Sequence, residues 1–172
     1  MTGRLEKPPQ WISSLQGLSG IIFRYSLLRS DPLEYLQDLP NLGYLYLDCA
    51  YEGEELCFKA GGFPRLKRLV FTRLSELRRL IVKESSTPLL EELKLRESKS
   101  MAQFLDDIHH LVHLQRLQFA DMSDMFINQL EHMDKESNEY EWILQVSMVV
   151  IRNSINGKWH TRSLDQATGN FI

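Results

Sequence analysis

Three histidines lie close together in the sequence, at His109, His110 and His113. Their HHxxH spacing suggests a metal site, because the imidazole nitrogen is a common zinc ligand. A zinc site also needs further ligands held in place by surrounding groups, and the H-E-x-x-H pattern of a metalloprotease is missing. We therefore predict a solvent-exposed histidine cluster without a bound metal.

Two adjacent carboxylates and two cysteines are the other candidates for chemistry. Asp106 and Asp107 are neighbours, so their side chains diverge and cannot easily act as an acid–base pair; we expect them to place negative charge at a helix start. Cys57 falls at a predicted core position, where a thiol behaves as a small hydrophobic group. Cys49 falls near a strand end, and a reactive thiol there stays an open interpretation that only distant lysines favour.

Composition restricts the class of protein. Hydrophobic residues make up 43% of the 172 residues, which is enough to bury a core. The net charge of -3 gives no reason to expect nucleic acid as a partner. No apolar run approaches the ~20 residues that span a bilayer, and no secretory signal opens the chain. We therefore predict a cytoplasmic protein. Neither a Ser-His-Asp spacing nor a glycine nucleophile elbow occurs, so we also predict that the protein is not an enzyme and has no cofactor.

A repeat of 24 residues positions all of these side chains. The segment LPNLGYLYLD begins at residue 39, and related segments begin at residues 15, 63, 87 and 111. If the middle leucine of each copy is position zero, large apolar residues recur at positions zero, three and five. They are Leu18, Ile21, Phe23, Leu42, Leu45, Leu47, Leu66, Leu69, Phe71, Leu90, Leu93, Leu95, Leu114, Leu117 and Phe119. A fixed period of this length indicates a repeat architecture.

The spacing within each copy predicts a β-strand. Positions three and five are two residues apart, so their side chains point to one face of a strand, whereas a helix would need positions three, four and seven. The pattern LxxLxLxx is the strand half of a leucine-rich repeat, and stacked neighbours bury its leucines. We therefore predict an α/β fold, a right-handed leucine-rich-repeat solenoid in a horseshoe arc, with a parallel concave β-sheet of five strands and a C-terminal cap.

The second half of each copy is predicted to return along the convex side. Its inward positions fifteen, eighteen and twenty-one are mostly apolar, with Glu84 and Thr87 as exceptions. The apolar members are Leu33, Leu36, Leu39, Cys57, Ala60, Phe63, Ile81, Leu105, Ile108 and Leu111. Residues 1–122 are thus predicted to hold a truncated first repeat and five 24-residue repeats. Because Met1 falls halfway through a repeat, we expect the chain to be cut from something longer.

Residues 123–172 lack the period and are predicted to form a C-terminal capping segment. Ser123 is a predicted N-cap for a helix with an apolar stripe that includes Phe126 and Leu130. The segment DKESNEYE is predicted to be a polar loop. The runs WILQVSMVVI and KWHTRSL are predicted to be strands, joined by a hairpin turn at Asn156 and Gly157.

Positions two, four and six of each predicted strand point away from the core, and we call them together the concave face. This face carries an aromatic and basic group of side chains: Tyr44, Tyr46, Arg68, Lys94, Arg96 and Arg116. Tyrosine and arginine are enriched at interface hot spots, and solenoids bind partners on concave surfaces. Two interpretations stay open: a contact surface for an acidic protein partner, or an ordinary solvated sheet face.

Several segments carry a resemblance to a known family. GRLEKPPQWISSLQGL, DPLEYLQDLPNLGYLYLDCAYEGEELCFKAGGFPRLKRL and the downstream SNEYEWI and INGKWHTRSL resemble the C-terminal leucine-rich-repeat region of plant coiled-coil NLR immune receptors. DPLEYLQDLPNL and LCFKAGGFP are specific to that group, whereas the leucine pattern alone is not. In those receptors the region follows a coiled-coil domain and a nucleotide-binding ATPase switch.

The resemblance implies a protein-recognition module that senses pathogen effectors or modified host proteins and restrains the nucleotide-binding switch. Its implied partner is an effector, a guarded host protein or the receptor's own nucleotide-binding domain. The implied location is the cytoplasm, or the plasma-membrane periphery within a larger receptor. The sequence has no GxxxxGK[ST] phosphate loop, so we expect no nucleotide binding by this chain. The alternative is another class of leucine-rich-repeat adaptor, such as a ubiquitin-ligase substrate receptor, although no F-box-like helical segment is present.

Overall fold

A computed structural model describes residues 2–101 and 108–172. Its main sheet has eight strands in the order β1-β2-β4-β6-β7-β8-β9-β10. These strands are β1 (Gly20–Arg24), β2 (Tyr44–Asp48), β4 (Arg68–Thr72), β6 (Glu92–Arg96), β7 (Arg116–Ala120), β8 (Met148–Ile155), β9 (Lys158–Asp165) and β10 (Asn170–Phe171). A separate two-stranded sheet joins β3 (Glu55–Phe58) and β5 (Arg79–Val82). In the described residues, the α-helices are α1 (Leu33–Leu36), α2 (Asp124–Glu131) and α3 (Asn138–Gln145), and two short 3-10 helices cover Gln10–Ser14 and Ile108–His110.

The five strands from β1 to β7 in the main sheet are parallel and pair in the register of the repeat. Leu69, for example, lies opposite both Leu45 and Leu93. Every position-three and position-five side chain in the five repeats is at most 7% exposed. Leu18, at the β1 end of the stack, is only partly buried. The predicted leucine-rich-repeat solenoid is therefore confirmed, and so are positions three and five as the inward positions of its strands.

Each of the five strands is followed by a residue with a left-handed backbone. At position seven, φ lies between +46° and +53° in Tyr25, Cys49, Arg73, Glu97 and Asp121. Positive φ is uncommon outside glycine, and here it lets the backbone N–H reach the next strand. The Cys49 N–H, for example, donates to the Thr72 carbonyl oxygen at 3.0 Å. The repeated turn thus continues the hydrogen-bond ladder beyond the strand ends.

The convex side differs from the prediction in the second and third repeats. Here β3 and β5 form, and side chains in a strand alternate between its two faces. Leu56 and Phe58 are buried, so Cys57 between them faces the other way and is partly exposed. The prediction that Cys57 lies in the core is therefore wrong, and Ala60 is exposed.

In the third and fourth repeats, the predicted inward positions of the convex side are partly borne out. Ile81 in β5 is partly exposed for the same reason as Cys57, while Ile108 in the fourth repeat is buried as predicted. The predictions for Met1, Leu105, Asp106 and Asp107 lie outside the described residues.

The C-terminal segment contains one more helix than predicted. Helix α2 begins as expected, because the Ser123 hydroxyl accepts a hydrogen bond from the Phe126 N–H at 3.2 Å. Ser137 caps α3 in the same way, accepting from the Tyr140 N–H at 3.1 Å. Residues 138–145 are therefore helical, and the predictions of a loop up to residue 141 and a strand from residue 142 are wrong there.

The hairpin predicted at Asn156 and Gly157 is confirmed. Both residues have positive φ, as a type I′ turn requires, and β8 and β9 pair in antiparallel fashion around them. Strand β8 also pairs in parallel with β7. Buried Val149 and Ile151 continue the rows of Leu117 and Phe119, so the parallel sheet extends into the segment predicted as a cap. The boundary at residue 122 stays a prediction.

Candidate functional site

The parallel register arranges the concave face in three rows that cross the strands. Position two forms the row Gly20, Tyr44, Arg68, Glu92 and Arg116. Position four forms the row Ile22, Tyr46, Val70, Lys94 and Gln118. Position six forms the row Arg24, Asp48, Thr72, Arg96 and Ala120. Tyr44 on β2 thus lies opposite Arg68 on the following strand, whereas Tyr46 lies opposite Val70.

Glu92 is the centre of the basic group. Its carboxylate lies 2.7 Å from Lys94 Nζ and 3.6 Å from the Nε atoms of both Arg68 and Arg116. Glu92 is only 8% exposed. Burial opposes its ionisation, but the hydrogen bond and charge of Lys94 and the charge of Arg116 together lower the pKa of Glu92. Three of the predicted binding cations are therefore held together by one buried carboxylate.

The two tyrosines are half-buried and differ in their neighbours. The guanidinium carbon of Arg24 lies 5.5 Å from the centre of the Tyr46 ring, which is cation–π geometry. Tyr44 lies opposite Arg68 in the sheet register. Burial, followed by the nearby Tyr46, raises the pKa of Tyr44. Both rings present partly accessible aromatic surface with a cation alongside.

Position six is more buried than the prediction of an open face implied. Asp48 is 5% exposed because Arg73, at position seven of the next repeat, donates to its Oδ1 atom through Nε at 2.9 Å and Nη2 at 2.6 Å. Arg73 also donates to the Tyr25 hydroxyl at 3.2 Å. The left-handed turn directs this arginine back over the strand end. Thr72 and Ala120 are buried as well.

The structure therefore divides the predicted binding residues into smaller groups. Arg68, Lys94 and Arg116 share Glu92, and Tyr44 and Tyr46 lie on the adjacent side. Arg96 stands apart, two residues along β6. Sequence reasoning missed the central role of Glu92, although alternating charges at one repeat position were a readable signal, because opposite charges pair across neighbouring strands.

The histidine cluster lies at the surface as predicted. His109 and His110 end a short 3-10 helix, Ile108–His110, with their ring centres 4.3 Å apart. His113 is exposed, whereas Leu111 and Leu114 are buried. Within residues 2–101 and 108–172, no group of three or more histidine, cysteine or acidic side chains is arranged to hold a metal ion.

Two side chains on the convex side, Asp31 and Cys57, have raised pKa values. Asp31 accepts hydrogen bonds from the backbone N–H groups of Leu33 at 2.8 Å and Cys57 at 3.4 Å. Burial is the largest effect on this carboxyl and raises its pKa to about 6. Burial likewise raises the pKa of the Cys57 thiol, which disfavours a reactive thiolate. Asp31 therefore serves to join α1 to β3 through the backbone.

Comparison with known proteins gives consistent matches. A family model described as "Leucine-rich repeat region" matches residues 1–152. The chain is 28% identical over 130 residues to disease resistance protein RPM1 of Arabidopsis thaliana, which is 76% of this chain and 14% of that protein. It is 34% identical over 91 residues to the probable disease resistance protein RF9 of the same plant, covering 52% of the chain and 9% of that protein.

A third relative extends this pattern. The chain is 28% identical over 120 residues to the probable disease resistance RPP8-like protein 4 of Arabidopsis thaliana, which is 69% of the chain and 13% of that protein. The chain thus spans about a tenth to a seventh of the length of these relatives.

No solved structure matches it significantly. In the described part of the chain, no helix has the length and apolar character to cross a membrane. The chain belongs to the leucine-rich repeat region family, in the form found in plant disease resistance proteins.

Proposed function

We propose that this leucine-rich-repeat region recognises protein partners through its concave face, within a plant immune receptor. The partner is a pathogen effector, a modified host protein or the nucleotide-binding domain of the receptor, which the region restrains. The protein acts in the cytoplasm, or at the plasma-membrane periphery within a larger receptor. It has no catalytic role.

One observation carries this proposal: the group formed by Tyr44, Tyr46 and the cations around Glu92. Half-buried tyrosines beside fixed arginines provide contact area with little loss of side-chain freedom on binding, as hot spots do. Because Glu92 holds three of the cations in place, the surface is organised before a partner arrives. A solenoid face of this kind suits an extended protein contact.

A tyrosine variant tests the proposal without disturbing the ion pairs. We expect Tyr44→Ser with Tyr46→Ser to weaken the Kd for a purified nucleotide-binding domain of this receptor family by roughly tenfold or more, because each hot-spot ring contributes about 1–2 kcal/mol. Biolayer interferometry with the immobilised chain measures the change. The neutral substitution leaves the charge of both proteins unchanged.

The matched control is Tyr35→Ser, which removes a partly buried tyrosine from α1 on the convex side. We expect this control to change the Kd by less than about twofold, since tyrosines outside a contact region contribute little. Equal weakening by both variants would show that the concave face is not the contact surface. A wild-type chain that does not associate with the nucleotide-binding domain would contradict the proposed restraint of the switch.

A further inference from the structure

The C-terminal end of the concave face contains a notch between two arginines. Arg96 on β6, Ala120 on β7 and Arg152 on β8 lie opposite one another in consecutive strands. Neighbouring strands are ~4.8 Å apart, so the two arginine backbones are separated by roughly 10 Å. Ala120 between them has only a methyl group and is 2% exposed, so it forms the floor of the space between the two long side chains. We call this space the Arg96–Arg152 notch.

The hairpin supplies an aromatic wall to the notch. Trp159 on β9 lies opposite Ser154, two residues beyond Arg152, so it shares a face of the hairpin with Arg152. The resulting cavity has a volume of about 270 Å³ and is lined by Lys94, Arg96, Gln118, Ala120, Arg152 and Trp159. Trp159 is 53% exposed. Apolar surface and cations therefore meet in one small concavity.

Among the described residues, the two arginines of this notch are not paired with a carboxylate, unlike Lys94 beside them, which pairs with Glu92. Arg68 and Arg116 share Glu92, and Arg162 on β9 pairs with Glu131. In the part of the chain that the structure describes, Arg96 and Arg152 form no ion pair with a carboxylate. Two guanidinium groups that face one space repel each other, and an anion placed between them would relieve that repulsion.

The chemistry of the two arginines favours a planar anion. A guanidinium group can donate two parallel hydrogen bonds to a carboxylate, and such pairs are stronger than neutral hydrogen bonds. The Trp159 ring beside them offers an apolar surface to a neighbouring group of the same ligand. The Gln118 amide on the cavity lining adds a further donor.

We propose that the Arg96–Arg152 notch binds a carboxylate side chain of an acidic peptide segment, with an apolar residue of that segment lying on Trp159. A peptide is favoured because the notch opens onto the concave face, where a segment can continue toward Lys94. This proposal rests on the proposed function, since it assigns the chemistry of the partner at one end of the same face. Neither Arg152 nor Trp159 belongs to the tyrosine and Glu92 group described above.

An NMR titration of the chain with the peptide acetyl-Asp-Glu-Leu-Glu-Asp-amide tests the proposal. We expect saturable shifts of the Trp159 indole N–H and of the Nε–H groups of Arg96 and Arg152, with a Kd of about 1 mM that weakens as salt is added. Replacing Arg96 and Arg152 by glutamine should weaken binding at least about tenfold, which corresponds to about 1.4 kcal/mol.

The control variant replaces Lys135 and Lys158 by glutamine, which removes the same charge from exposed positions outside the notch. Its Kd should change by less than about twofold, since exposed charges away from the contact act only through weak, screened interactions. Equal weakening by the two variants would overturn the proposal, because net charge alone would then explain binding. Ala120→Leu keeps every charge but fills the notch, so unchanged peptide binding by a folded Ala120→Leu protein would also overturn it.

Two further ligands distinguish the class of anion. The neutral peptide acetyl-Asn-Gln-Leu-Gln-Asn-amide should not shift the Trp159 signal, and equal binding of this peptide would contradict a carboxylate site. Inorganic phosphate that saturates the notch while the acidic peptide does not bind would show a phosphate site instead. Failure of the peptide leaves the proposed function standing, because that function is tested separately through Tyr44 and Tyr46.

Discussion

Leu93→Arg is expected to abolish cooperative folding of the protein at 25 °C. Leu93 is fully buried in β6, opposite Leu69 and Leu117. The substitution removes a packed leucine, which costs about 2–5 kcal/mol, and buries an unpaired charge, which costs several kcal/mol more. The sum is comparable to the about 5–15 kcal/mol that stabilises a typical domain. Thermal unfolding followed by circular dichroism measures the loss.

Gln118→Arg is the matched control for this experiment. It introduces the same side chain on the neighbouring strand, but at position four, which faces outward and is half-buried. We expect this variant to melt within about 3 °C of the parent, because surface substitutions change stability by about 0.5 kcal/mol or less. A Leu93→Arg protein as stable as the Gln118→Arg protein would show that the assignment of inward and outward positions is wrong.

The second large effect is expected from reversing the charges around Glu92. In the variant Arg68→Glu with Lys94→Glu, the buried Glu92 carboxylate faces two further carboxylates and keeps only Arg116 as a partner. We expect a loss of about 2–4 kcal/mol in the free energy of unfolding, because the buried Glu92 carboxylate loses two of its partly exposed cations and then faces two like charges. Urea denaturation at neutral pH measures this loss.

A charge swap makes the test specific. Adding Glu92→Lys to the double variant places a cation between the two new carboxylates, and it should restore at least about half of the lost stability. Lys135→Glu with Lys158→Glu is the control for net charge, and its unfolding free energy should fall by less than about 1 kcal/mol. If the control is destabilised as much as the double variant, or if the swap restores nothing, Glu92 does not organise the face.

The leucine positions made the strand half of the fold predictable. Side chains such as Leu45 and Leu69 recur at intervals set by the repeat, and one wrong register would expose all of them. The convex half was less predictable, because Cys57 lies between Leu56 and Phe58 and either a helix or a strand could bury part of that run. Only the paired strands β3 and β5 decide which of these residues face the core.

The C-terminal segment shows a second limit of the sequence. The run beginning at Trp142 is short and apolar, so its periodicity does not separate a strand from a helix. Ser137, which lies within the segment predicted to be a polar loop, was an overlooked N-cap signal. By contrast, Asn156 and Gly157 specify their turn through their tolerance of positive φ, and that prediction succeeded.

The candidate site was predictable as a surface but not as a set of contacts. Alternation along the strands places Tyr44 and Arg68 on the concave face, whatever the side-chain conformations are. The convergence of three cations on Glu92 depends on side-chain directions and burial, which residue types do not specify. Arg73 reaches Asp48 through a left-handed turn whose residue type does not favour positive φ.

Photo-crosslinking tests most directly whether the concave face is a protein-contact surface. A photoreactive phenylalanine derivative would replace Tyr46 in one variant and the exposed Glu84 of the convex side in another, and each protein would be irradiated in plant leaf cells. We expect covalent products that join residue 46 to a second protein or to the nucleotide-binding domain of the receptor, and few or none from residue 84. Crosslinks from residue 84 alone, or equal yields from both positions, would contradict the assignment of the concave face as the contact surface.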